Sequence, residues 1–243
     1  MNLIIDVGNT RTKVAIFNNN ELIELKVFDD PLVCDLEFVL RNYPDTKNCI
    51  VSVTGLIDKN IQQYLKNTFP NIVELTGFTA LPFANNYETK QTQGPDRIAG
   101  IAGAQQQFPK SNVLLIDAGT AINYDYIDFE ENYWGGNISA GIEMRFKALN
   151  SYTQKLPLLS KEDNFELLGI NTQQAIISGV QNGVIFEVEG YIAALQNKYT
   201  ELKVIITGGD ADFLAGKLKS PIFVNKNIVL FGLNRILDYN VLE

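Results

Sequence analysis

Two aspartates occupy matching places in this chain, each ending an aliphatic run and each two residues ahead of a glycine. The first lies in Leu3-Ile4-Ile5-Asp6-Val7-Gly8-Asn9-Thr10-Arg11-Thr12-Lys13 and the second in Leu114-Leu115-Ile116-Asp117-Ala118-Gly119-Thr120. A third junction, Val204-Ile205-Ile206-Thr207-Gly208-Gly209-Asp210, runs from a strand into paired glycines. The chemistry that suits such turns is the holding of phosphates. Glycine reaches backbone angles closed to other residues and lets an anion approach the main chain. Successive N–H groups then form an anion-binding concavity. Thr10 and Thr12 add hydroxyl donors, and Lys13 a movable charge. Asp6 would repel a phosphate unless Mg²⁺ with its waters lay between them. A lone Asp-x-Gly-Asn is also an ordinary turn; its repetition in matching strand context favours a nucleotide site built from two related halves.

Composition narrows the remaining chemistry. The 243 residues contain no histidine, which excludes Ser-His-Asp hydrolases, Cys-His proteases and histidine-based zinc sites. Phosphoryl transfer needs none of these, only positioning, a metal, cations and an acidic base. Cys34 and Cys49 have no metal-ligand or redox spacing and read as core or half-buried residues. The net charge of −8 argues against nonspecific nucleic-acid binding and demands local cations for any anionic ligand, with Arg11, Lys13 and Arg97 as candidates. No apolar run reaches the ~18 residues of a membrane span, and no signal peptide is visible, so a cytoplasmic protein is expected.

The elements that must position these residues follow from periodicity. The first turn joins two strands, with Lys13 to Phe17 returning and 21–28 alternating as a third, so it is a meander and not a strand-to-helix phosphate loop. A helix over 35–42, a buried strand over 49–53 ending at Thr54-Gly55, a helix over 58–69 and a strand over 72–75 follow. Residues 76–93 form a loop long enough to be functional or mobile. It ends at Gly94-Pro95-Asp96-Arg97, which opens a helix over 98–107 rich in alanine and glycine. The second half repeats the plan: strand 112–116, returning strand 121–127, a glycine-rich loop 134–141 and a helix 142–149. Irregular chain then leads to Thr172, read as the cap of a helix over 173–196. A strand at 204–207, a helix at 211–218, a short strand at 222–224 and a closing helix at 228–239 complete the chain. The expected fold is α/β: two duplicated subdomains with mixed sheets, 1–109 and 110–243, and a ligand cleft between them.

These stretches resemble the acetate and sugar kinase, heat-shock chaperone and actin superfamily, whose subdomains are actin-like, or ribonuclease H-like. Within it the chain resembles the type III pantothenate kinases. The resemblance rests on the Asp6 to Lys13 stretch, Gly94-Pro95-Asp96-Arg97, Asp117-Ala118-Gly119-Thr120, Gly135-Gly136-Asn137-Ile138-Ser139-Ala140-Gly141, and Thr172 with Ser178-Gly179-Val180, all in family order. One departure is Ala140, where the family commonly has proline.

The resemblance implies ATP-dependent phosphorylation of pantothenate to 4′-phosphopantothenate, the first step of coenzyme A synthesis, by a homodimer requiring Mg²⁺ and a monovalent cation, K⁺ or NH₄⁺. Asp96 is then the general base, and also a helix-start acid that complements the dipole. Asp6, Val7, Gly8, Asn9, Thr10, Arg11, Thr12 and Lys13 would hold ATP, with Asp6 reaching Mg²⁺ through water. Thr120 would bind phosphate in the second turn, and Asp117 the monovalent cation. Gly94, Pro95, Asp96 and Arg97 would line the pantothenate site, with Arg97 forking onto the substrate carboxylate and Tyr87 packing on the substrate. Thr172 would reach that site from the partner subunit. Competing readings are a kinase for another small alcohol, a transcriptional accessory protein of the same fold, and an actin-like filament or chaperone ATPase, for which the chain is short.

Overall fold

The computed structural model describes residues 1–241, which divide into two compact units. Residues 1–109, 131–134 and 227 onward form the first; residues 110–130 and 135–226 form the second.

The first unit is built on a five-stranded sheet. Strands β1 (Asn2–Val7), β2 (Thr12–Asn18) and β3 (Glu21–Phe28) make an antiparallel meander, while β4 (Asn48–Val53) and β5 (Asn71–Glu74) add parallel strands on the other side, giving the order β3-β2-β1-β4-β5. Alternation along β1 sends Leu3, Ile5 and Val7 into the core beneath α1 (Val33–Asn42) and α2 (Lys59–Thr68). Ile4 and Asp6 therefore point to the opposite face, where α3 (Pro95–Gln107) and α7 (Ile228–Val241) pack.

The second unit repeats the plan. Strands β7 (Val113–Ala118), β8 (Ala121–Ile127), β9 (Asn132–Ala140, whose residues up to Trp134 belong to the first unit), β10 (Lys203–Thr207) and β11 (Phe223–Val224) take the order β9-β8-β7-β10-β11, the same permutation as in the first unit, with a two-residue sixth strand added beyond β9. Helices α4 (Ile142–Ser151), α5 (Thr172–Lys198) and α6 (Ala211–Ala215) complete it, with Ile176, Val180, Val184, Val188 and Ile192 of α5 in the core. The chain is thus a duplicated, mixed-sheet α/β protein of actin-like type.

Several expectations are corrected. The glycine-rich stretch 134–141 is not a loop but most of strand β9. A side chain at Gly136 would strike the Tyr124 main chain, so glycine there permits a close strand approach. The 76–93 loop contains a two-residue strand, β6 (Ala84–Asn85), paired with Asn132 and Tyr133 inside the first unit. Helix α3 begins at Pro95 and not at residue 98, because proline suits the first helical position. The side-chain cap of α5 is Asn171, whose Oδ1 accepts the Gln174 N–H at 3.0 Å, and Thr172 is the first helical residue. Cys49 is buried but Cys34 is exposed. Helix α7 belongs to the first unit, whereas a division at residue 109/110 assigns it to the second. The reason is steric: Gly103 of α3 and Gly232 of α7 each lie against the other helix's main chain, where any side chain would collide.

Candidate active site

Asp6 is the last polar residue of β1, and sheet register decides its neighbours. Lys13 is its partner on β2, and Ser52 its partner on β4. Burial raises the Asp6 carboxyl above the ordinary range, Lys13 and Ser52 act to lower it, and Asp96 acts to raise it. Asp6 and Asp96 thus feel one another, although ninety residues separate them in sequence. The Ser52 hydroxyl is fully buried and lacks a hydrogen-bond partner of good geometry.

Asp96 stands in the first turn of α3, and its Oδ1 accepts the Arg97 N–H at 2.9 Å. Gly94 leaves room for this: a Cβ there would lie 2.5 Å from Asp96 Oδ1. Arg97 is buried, and its guanidinium lies 5.4 Å from the centre of the Tyr87 ring. Tyr87 in turn stacks on Tyr133, with ring centres 6.4 Å apart and planes 13° from parallel. A base candidate, a buried fork of cationic donors and an aromatic platform are therefore neighbours in one unit.

The turn after β1 is tight, with the Gly8 N–H donating to the Arg11 carbonyl at 3.0 Å. Asn9, Thr10 and Arg11 are exposed at its tip, and Arg11 pairs loosely with Asp29 at 3.5 Å. Val7 and Thr12 pair across the ladder on the face opposite Asp6. With Gly8, Asn9 and Thr10 they line a cavity of about 340 Å³ whose rim carries Asp29, Asp30 and Asp58. Ladder register thus divides the 6–13 stretch: Asp6 and Lys13 lie on the face of the sheet toward α3, and Val7 and Thr12 on the other.

In the second unit Asp117 is the penultimate residue of β7, with Asn123 as its register partner on β8 and Thr207 on β10. The Gly119 N–H donates to the Ala121 carbonyl at 3.0 Å, and Thr120 stands exposed at the tip. Gly208 has φ +91° and presses on Ala118 and on the Asp117 carboxylate. The Gly141 N–H closes the other side by donating to the Thr120 carbonyl at 3.1 Å. Thr172 is exposed and borders an open apolar groove with Leu149, Leu156, Ala175 and Ile176.

Among the described residues no cluster of three or more His, Cys, Asp or Glu could hold a metal by itself. The half-buried Asp6 carboxylate, with the orphaned Ser52 hydroxyl beside it, still fits a divalent ion that takes its remaining ligands from phosphate and water.

Comparison with known proteins shows the family. The family model for type III pantothenate kinase matches residues 2–194. The chain belongs to the type III pantothenate kinase family. Proteins named type III pantothenate kinase from Phocaeicola vulgatus (45% identity, 99% of this chain and 99% of the relative) and Bacteroides fragilis (44%, 99% and 98%) match end to end. Among solved structures, a Campylobacter jejuni protein assigned by name to the Baf family of transcriptional activators superposes with TM-score 0.64 at 20% identity, covering 99% of this chain and 100% of that one. A polyphosphate/ATP-glucomannokinase from Arthrobacter superposes with TM-score 0.52 at 16% identity, covering 98% of each chain. These two likenesses concern the fold alone.

At Ala140, side-chain hydrogen bonds hold the backbone. Arg145 Nε donates to the Ala140 carbonyl at 2.8 Å, and its Nη2 donates both to Ser139 Oγ at 3.1 Å and to Glu187 Oε2 at 2.5 Å. Tyr124 O–H also donates to Glu187 at 2.9 Å. Burial acts to raise the Glu187 carboxyl, but the bonds from Arg145, Tyr124 and Ser139 outweigh it and hold the carboxyl below its ordinary range. Sequence reasoning missed Arg145, Ser52, Asn85, Gln93 and Tyr133. Only Ser52 left a signal: its strand ends in Thr54-Gly55 as β10 ends in Gly208-Gly209.

Proposed function

We propose that this chain transfers the γ-phosphoryl group of ATP to the 4′-hydroxyl of pantothenate, opening coenzyme A synthesis. The observation that carries the reading is the placement of Asp96, electrostatically in reach of Asp6 and one residue from buried Arg97. The pantothenate hydroxyl oxygen attacks the γ-phosphorus in line, its proton passes to the Asp96 carboxylate, and the bond to the β-phosphate oxygen breaks to release ADP. Arg97 holds the substrate carboxylate as a planar fork. Tyr87, Gly94 and Pro95 shape the remaining wall. The N–H groups at the exposed tip of the first turn, at Asn9 and Thr10, bind phosphate oxygens together with the Thr10 hydroxyl and Lys13, and so does Thr120. Asp6 would hold Mg²⁺, by way of water, and the ion would supply neutralisation of phosphate charge when bound with ATP. Asp117, at the matching place in the second turn, would hold a monovalent cation, K⁺ or NH₄⁺.

A homodimer belongs to the same proposal. Along α5 an exposed seam of Ala175, Gly179, Phe186 and Gly190 repeats at helical spacing, and Gly179 and Gly190 face open space. The small residues of α3, by contrast, are occupied by α7. Thr172, at the start of α5, would complete the partner's pantothenate site. No helix among the described residues is long and apolar enough to cross a membrane, and the acidic balance suits small anionic ligands less than it opposes nucleic acid. The proposed place of action is the cytoplasm.

The test is a coupled ADP-release assay with ATP, Mg²⁺, K⁺ and a panel of small alcohols. Turnover with pantothenate is expected; turnover with another alcohol and none with pantothenate overturns the reading. Repeating the assay in Tris without K⁺, NH₄⁺ or Na⁺ checks the cation, and an undiminished rate removes it. Mixing Asp96→Asn with Thr172→Arg checks the dimer. Subunit exchange should restore roughly a quarter of wild-type activity by random pairing on a closed twofold dimer.

A further inference from the structure

The loop that carries Tyr87 is held by an amide pair, half-buried Asn85 and buried Gln93, for which the phosphoryl-transfer chemistry has no other use. Asn85 Nδ2–H donates to Gln93 Oε1 at 2.8 Å, and the Tyr87 main-chain N–H donates to Asn85 Oδ1 at 3.1 Å. The two bonds are linked. Because Asn85 must present its oxygen to Tyr87, it must present its amide nitrogen to Gln93, so Gln93 must answer with its own oxygen. That orientation leaves Gln93 Nε2–H buried with no hydrogen-bond partner in the protein. Gln93 is only 5% exposed, so bulk solvent scarcely reaches it. A buried unpaired donor lowers stability, and the arrangement that incurs this loss also orients the tyrosine. The same loop is fixed from its other side, where the Asn86 N–H donates to the Tyr133 carbonyl at 3.0 Å and the Tyr87 ring stacks on the Tyr133 ring. Gln93 then leads directly into Gly94, Pro95 and Asp96.

We infer that Asn85 and Gln93 are positioning residues that set affinity for the phosphoryl acceptor by holding the Tyr87 ring against Arg97. They touch neither the reacting atoms nor ATP, so their effect falls on acceptor binding and leaves the transfer step alone. This inference rests on the proposed pantothenate site.

The test measures KM for pantothenate, KM for ATP and kcat in the full-length chain. Gln93→Leu removes the acceptor for Asn85 and is expected to raise the pantothenate KM about tenfold or more, the pattern of lost uniform binding, with kcat and the ATP KM within about threefold. Asn85→Asp is the conservative rescue. It still accepts from the Tyr87 N–H, and Gln93 turns its amide over and donates Nε2–H to the new carboxylate. This variant is expected to keep the pantothenate KM within about threefold of wild type. Adding Gln93→Glu to Asn85→Asp sets two carboxylates face to face and should restore the defect. A Gln93→Leu variant with unchanged pantothenate KM, or one in which both KM values rise together, overturns the inference, as does an Asn85→Asp variant as impaired as Gln93→Leu. Failure of the underlying reading shows earlier and separately, as wild-type protein that does not turn over pantothenate.

Discussion

The two Asp-x-Gly turns have the same strand topology and different surroundings. Each closes with a 3.0 Å hydrogen bond from its glycine N–H, to Arg11 in one and Ala121 in the other. Each aspartate has a buried hydroxyl residue beside it on the parallel strand, Ser52 for Asp6 and Thr207 for Asp117. On the antiparallel side the likeness ends: Lys13 faces Asp6, and Asn123 faces Asp117. The first turn also feels a second carboxylate, Asp96, and its tip is open. The second is walled by main chain, with Gly208 against Asp117 and Gly141 bonded to Thr120. Duplication thus supplied two similar cradles, and later divergence concentrated movable charge in one and fixed backbone geometry in the other.

The sharpest division of labour is in the carboxylates. Asp96→Asn keeps the shape of the side chain but cannot take the proton. Its kcat should fall by roughly 10²–10⁴-fold with pantothenate binding largely intact, measured by turnover and by titration calorimetry. A value within a few-fold of wild type removes Asp96 as the base. Next, Asp6→Asn and Asp117→Asn should separate the turns. The first should lower kcat/KM for ATP by about 10²–10³-fold, as loss of a charge organised around the phosphates does. The second should cost about tenfold, roughly 1.4 kcal/mol, and steepen the dependence on added K⁺. Equal losses would break the comparison.

Smaller effects test the backbone side. Gly208→Ala must place a Cβ against the Ala118 carbonyl and the Asp117 carboxylate at a φ that disfavours side chains. It should cost about 1–3 kcal/mol in chemical unfolding. Gly209→Ala, with nothing within 4 Å, should stay within about 0.5 kcal/mol. If the two are alike, the second turn is less rigidly walled than its geometry implies.

The smallest effect is a stability change with pH. Burial raises the Asp6 carboxyl in the folded chain above its unfolded value. Folded protein then holds that proton more tightly, so stability declines as pH rises above about 4, the unfolded value, through the raised folded one. Asp6→Asn removes this term. Its melting temperature should exceed wild type at neutral pH, and the gain should shrink as pH falls toward about 4. A variant less stable than wild type at pH 7 would show that Asp6 is held by more than Lys13 and Ser52.

Legibility in the sequence followed the range of the interaction. Asp6, Gly8, Asp117 and Gly119 could be read because a strand ending in a tight turn is written in consecutive residues. Ser52 could be placed on a strand ending at Thr54-Gly55 but not beside Asp6, because it meets Asp6 only through parallel pairing of β1 with β4. Glycines also misled: 134–141 read as a loop, yet Gly136 serves a strand that lies against Tyr124. Arg145 carried no motif, since its bonds to Ala140, Ser139 and Glu187 join β9, α4 and α5.

What the sequence determined by itself is the set of local rules: two meanders ending in Asp-x-Gly turns, a helix opened by Gly-Pro-Asp-Arg, and a composition without histidine that leaves phosphoryl transfer in reach. These depend on backbone preferences and short-range periodicity, which neighbouring residues specify. The tertiary structure alone decided that α7 returns to the first unit, that Thr12 and Asp6 face opposite sides of one sheet, and that Gln93 braces the Tyr87 loop. Each of those is a packing choice among residues distant in sequence or on different strands. Sterics between two glycine-bearing helices, ladder register and the pairing of side-chain amides make that choice, and none leaves a pattern in consecutive residues.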